Sequence, residues 1–71
     1  MNRTEFKNIY EQAQKVDILN NDWFNAMGWF WLNLTERQAN KMIDLIIEQN
    51  NFPRETKVVT FRNGMKLRKV N

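Results

Sequence analysis

A chain with no cysteine and no histidine in 71 residues can be held by neither a disulfide nor an imidazole-ligated metal, so its fold must rest on what its apolar side chains bury. A chain this short buries only about 60% of the surface it exposes when unfolded. The compensation is aromatic. Three Trp, five Phe and one Tyr supply the largest buried area per residue available to so small a core. The same two absences exclude a zinc finger, a thiol nucleophile and a Ser-His-Asp relay.

The segment Thr35-Glu36-Arg37-Gln38 is a capping box, in which Thr35 accepts from the Gln38 amide while the Gln38 side chain reaches back. Leu34 and Ala39 stand where a hydrophobic staple would. A helix over about 35–50 follows, with Ala39, Met42, Ile43, Ile46 and Ile47 towards the core. Asn50-Asn51 supplies a left-handed ending, and Pro53 forbids continuation.

Upstream, Thr4 is a good N-cap for an amphipathic helix over about 4–16, with Phe6, Ile9, Tyr10, Ala13 and Val16 on one face. Asn20-Asn21-Asp22 separates it from a second helix over about 22–33. There, Phe30, Trp23, Met27, Trp31 and Phe24 fill one arc, extended by Gly28 and Leu32. So apolar a helix is expected to be the central one, with Gly28 admitting a neighbouring backbone. Trp29, between Asn25 and Asn33 on the far side, is the aromatic that this helix does not itself bury, and the pattern leaves open whether the first helix or the Phe52 segment covers it.

Residues 56–70 alternate in polarity and are divided by Asn63-Gly64, a hairpin signal. A two-residue loop would put Val59 and Phe61 on one face with Lys66 and Arg68. A three-residue loop, Arg62-Asn63-Gly64 with Gly64 left-handed, pairs Phe61 with Met65 and Val59 with Leu67. The second register leaves one apolar face and one carrying Val58, Thr60, Lys66 and Arg68. Because a one-residue slip exchanges the faces, the cleaner partition is expected. The fold class is therefore α+β, a single domain with a three-helix core and a C-terminal two-stranded antiparallel β-hairpin.

Charge is uneven. Residues 1–50 carry five basic and seven acidic residues, whereas residues 51–71 carry six basic and one acidic. The hairpin is thus the best candidate surface for a polyanion or an acidic partner. Arg62 stands at its tip, Lys66 and Arg68 on its polar face, and Lys57 and Lys69 near its open end. Four phosphates neutralised by Arg62, Lys66, Arg68 and Lys69 would give a log–log salt slope near about −3.6 on duplex DNA. Cations on a small sheet also protect its edges from pairing with other sheets. Trp29 is a candidate to stack on a base or fill a partner's pocket.

Other chemistries find less support. The exposed arc expected for the 35–50 helix, Glu36, Arg37, Asn40, Lys41, Asp44 and Glu48, sums to −1, which argues against a recognition helix in a DNA groove. Asp44 and Glu48 lie four residues apart without a third ligand or a base, as acids on a solvated face do. The two glycines form no phosphate loop. No catalytic residue, metal ligand or cofactor is expected. The start has no apolar signal region, and the longest apolar run, Ala26–Leu32, is far short of the roughly 20 residues needed to span a bilayer. A cytoplasmic protein with no membrane contact is expected, and a homodimer is compatible with the pattern.

Eleven asparagines, a terse helical body, an aromatic excess and the lack of Cys and His together resemble the small early and accessory proteins of large virulent tailed bacteriophages. Asn33-Leu34-Thr35-Glu36-Arg37-Gln38 is similar to helix starts in phage replication accessory modules, as any capping box is. No functional residue carries over. The resemblance implies a non-enzymatic role in the host cell cytoplasm. The chain would bind nucleic acid in replication or transcription, or bind and block a host enzyme or defence protein.

Overall fold

Local capping and apolar spacing divide the chain into α1 (Arg3–Ala13), α2 (Asn21–Ala26), α3 (Gly28–Leu32), α4 (Glu36–Asn50), β1 (Val58–Thr60) and β2 (Lys66–Arg68). The computed structural model describes residues 1–70, except for the side chain of Asn21.

Helix α1 starts earlier than Thr4. Asn2 is the cap, its side chain accepting from the Glu5 amide at 2.8 Å. This shift puts Glu5 in the first turn, where the helix dipole favours an anion. The helix also stops before Val16, because α4 intercepts its end. The Gln49 side chain donates to the Ala13 carbonyl at 2.7 Å and accepts a longer bond from the Ile18 amide at 3.5 Å. Ile18 is consequently fully buried, and Val16, expected on the core face, is exposed.

The expected helix over 22–33 is two short helices. Asn20 caps α2 by accepting from the Asp22 and Trp23 amides. At Met27 the backbone leaves helical geometry, with φ −101° and ψ 22°, just before Gly28, the weakest helix former of the segment. Phe24, Phe30 and Trp31 are in the core, whereas Leu32 is 80% exposed, against the expectation that it extends the apolar arc. No backbone approaches Gly28 either: a Cβ there would meet nothing within 4 Å.

Helix α4 bears out its capping pattern. Thr35 Oγ1 accepts from the Gln38 amide at 3.1 Å, and Gln38 Oε1 accepts from the Thr35 amide at 3.0 Å. Asn51 ends the helix at φ 55°, the left-handed region. Of the fourteen core residues among those described, α4 supplies five (Met42, Ile43, Leu45, Ile46, Ile47) and α2 with α3 only three. The central helix is therefore α4 and not the Trp-rich segment. Five buried apolar side chains on one uninterrupted fifteen-residue helix make a better platform than a segment broken at Met27.

The hairpin has the expected register: Val58 faces Arg68, Val59 faces Leu67 and Thr60 faces Lys66. The Phe61 amide donates to the Met65 carbonyl at 2.8 Å, and Gly64 sits at φ 89° in the loop. Val59 and Phe61 are buried and Leu67 half-buried, while Met65, expected on the covered face, is 45% exposed beside the tip. Phe61 drives into the aromatic core, 4.4 Å from the Phe24 ring and 5.0 Å from Trp31. Rings then continue through Phe30 to Phe6, tying the hairpin to α1. An isolated hairpin is marginal in water, so this aromatic anchor is what makes the ribbon a fixed surface.

Candidate nucleic-acid interface

Because β1 and β2 alternate faces, burying Val59, Phe61 and Leu67 obliges Thr60, Lys66 and Arg68 to point to solvent. All three are exposed. Opposite Lys66 is Thr60 and opposite Arg68 is Val58, so neither cation faces an acid across the ribbon. Among the described residues neither lies in an ion pair. Two residues apart on a strand, they stand about 6.7 Å from one another. Lys57 is exposed at the open end, where its carbonyl accepts from the Lys69 amide.

The remaining two hairpin cations are engaged. Lys69 Nζ lies 2.6 Å from Asp44 Oδ1 on α4, with its side chain only 27% exposed. It fastens the hairpin to the helix instead of joining the outer face. Arg62 lies 3.5 Å from Asp17, both side chains being well exposed. A pair so solvated is weak and easily exchanged for another anion. The five cations thus separate into three free ones, one loosely held and one structural.

Trp29 is 51% exposed, so neither α1 nor the Phe52 segment covers it fully. Its carbonyl accepts from the Asn33 side chain at 2.6 Å. It does not stand alone. Leu32 follows one turn later, and Leu32 and Met65 line one shallow depression between α3 and the hairpin tip, above the edge of Trp31. Neither Leu32 nor Met65 was legible as exposed. Leu32 lies about 150° round α3 from the midpoint of the buried Phe30 and Trp31, and Met65 depends on how far the hairpin overhangs the helices.

Asp44 and Glu48 are exposed on α4, and Asp44 is paired with Lys69. Among the described residues no group of three or more Asp, Glu, Cys or His stands close enough to hold a metal ion. No helix among them is long and apolar enough to cross a membrane.

The exposed arc of α4 is also more informative than its net charge. At 100° per residue Arg37, Lys41, Asp44 and Glu48 fall in one stripe about 60° wide. Its N-terminal half is basic and its C-terminal half acidic, a segregation that a sum of −1 conceals. Reading the signs in order along the stripe would have found it. Comparison with protein-family models, with curated proteins and with solved structures finds no match for this chain.

Proposed function

We propose that this chain is a non-catalytic nucleic-acid-binding accessory protein that holds a phosphate backbone on the outer face of its C-terminal hairpin. The observation that carries this reading is the pair Lys66 and Arg68, exposed together on a ribbon face whose cross-strand partners are Thr60 and Val58. Lysine on an exposed strand also guards a small sheet against pairing with other sheets, and a salt-dependent affinity for nucleic acid is what separates the two roles. Residues 56–70 hold five cations and no acid. Lys57 extends the surface, and Arg62 joins it by exchanging Asp17 for a phosphate. Trp29 is the candidate stacking group for an unpaired base. Lys69 holds the ribbon in place and makes no phosphate contact. The test is a low-salt titration of labelled duplex and single-stranded oligonucleotides. Binding that is lost in the Lys66→Glu, Arg68→Glu double variant supports the reading; binding unchanged by it, or absent from the wild type, rejects it.

A second reading rests on a different observation. Leu32 and Met65 expose two large apolar side chains on one depression between α3 and the hairpin tip, and Trp29, three residues before Leu32 on α3, is exposed as well. Such a patch suits an inhibitor or adaptor that docks on another protein, as the resemblance to small phage proteins implies. Affinity capture that survives nuclease but not Leu32→Gln would favour it. Capture that nuclease abolishes would favour the hairpin.

A further inference from the structure

The ends of α1 and α4 form a groove of about 480 Å³ lined by Met1, Arg3, Phe6, Arg37, Gln38 and Lys41, with Thr35 at its rim. We infer that this groove is a second anion site, which takes the phosphate group of a nucleotide or of a nucleic-acid strand.

Three cations separated by up to 38 positions converge there, and no carboxylate lines the groove. Gln38 assembles it: while its Oε1 closes the capping box, its Nε2 donates to the Met1 carbonyl at 3.0 Å, drawing the start of α1 onto α4. Among the described residues none of Arg3, Arg37 and Lys41 is in an ion pair. Lys41 is positioned by the Tyr10 ring, its Nζ standing 5.4 Å from the centroid. Met1 and the edge of Phe6 give the floor an apolar part, suited to a sugar or base beside the phosphate.

Helix stability does not explain the arrangement. Arg37 and Lys41 are like charges four residues apart, a destabilising spacing, and Arg37 lies in the first turn, where the dipole disfavours a cation. The helix end is already capped by Thr35, so the side chains carry the site. Geometry also joins the groove to the hairpin. The Val70 amide donates to Asn40 Oδ1 at 2.8 Å, and Asn40 Nδ2 donates to the Val70 carbonyl at 2.6 Å. The strand bearing Lys66 and Arg68 therefore runs out one helical turn from Arg37.

The site extends the hairpin reading for a strand but does not need it for a nucleotide, and the test separates the two. A nucleoside triphosphate and a single-stranded oligonucleotide are titrated separately into the full chain, its backbone amides followed by NMR. Three proteins are compared: wild type, Arg3→Gln with Arg37→Gln, and Lys66→Gln with Arg68→Gln. The triphosphate should move the amides of residues 2–6 and 35–41 saturably. The groove variant should weaken this by at least about tenfold, as losing charged hydrogen bonds does, and the hairpin variant should not. If the oligonucleotide also moves those amides, the natural source is a strand; if only the triphosphate does, it is a free nucleotide. Shifts confined to the hairpin, equal affinity in the groove variant, or no binding of either probe would overturn the site. The melting temperature of the groove variant should stay level or rise, because a like-charge pair is relieved. If that variant is nevertheless misfolded, Arg37→Lys alone, which keeps the charge and loses the planar fork, should weaken triphosphate binding, and equal affinity there would also overturn the site.

Discussion

Lys69 and Asp44 are joined at 2.6 Å, and this pair decides which hairpin cations are available to a ligand. It lies beside the Asn40–Val70 hydrogen bonds, so charge and backbone pairing together seat the end of β2 on α4. Asp44→Asn should cost at most about 1 kcal/mol of stability, since the carboxylate is well solvated. It should also release Lys69 and steepen the salt slope of DNA binding by up to about 0.9. Chemical denaturation and binding titrations over a salt series measure the two effects. An unchanged slope together with weaker binding would show that the pair serves the ligand directly.

The two glycines should respond oppositely to alanine. Gly64, at φ 89°, holds a backbone conformation that costs a side-chain-bearing residue about 1–2 kcal/mol. At Gly28 a Cβ meets nothing within 4 Å, so the same change should stabilise by a few tenths to about 1 kcal/mol. Urea midpoints of Gly64→Ala and Gly28→Ala decide this. Shifts of the same sign would contradict the backbone described at one of the two positions.

How much of this was legible in the sequence follows from how local each cause is. The capping box, the Asn51 ending and the hairpin register depend on neighbouring residues and on a period of two, and all three are present. The break at Met27, the interception of α1 by Gln49 and the central place of α4 depend on contacts between distant segments. Periodicity has no access to these. Of the candidate surface, Lys66 and Arg68 were readable because strand alternation decides their exposure, whereas helical phase put Trp29 on the far side but left open whether α1 or the Phe52 segment covers it. The capture of Lys69 by Asp44 was not, and neither was the convergence of Arg3 with Arg37.

Alkaline pH should expose the state of Tyr10. Burial, then the carboxylates of Glu48 and Asp44, hold its hydroxyl protonated above the usual 10.0. Below that value the phenol is neutral in folded and unfolded chains alike, and its contribution is fully present. As pH rises further the unfolded chain ionises first, and stability falls through the folded pKa. Denaturant midpoints on either side of pH 10.0 should therefore drop more for the wild type than for Tyr10→Phe. Equal drops would mean that the hydroxyl is as free as in a peptide.

Trp29 distinguishes the strand forms of the ligand. Half-exposed and outside the core cluster, it should be replaceable by alanine with a stability change within about 0.5 kcal/mol. If it stacks on a base, Trp29→Ala should weaken single-strand binding by about 1–3 kcal/mol and leave duplex binding alone. Fluorescence anisotropy with both oligonucleotides reads the difference. Equal losses on both would contradict base stacking.

The hairpin's outer face is tested most directly by the salt dependence of duplex binding in the wild type and in Lys66→Gln, Arg68→Gln. Each phosphate contact contributes about 0.9 to the log–log slope, so removing both cations should make it shallower by about 1.8. Slopes that coincide, with affinity unchanged, would contradict the placement of the phosphate backbone on this ribbon.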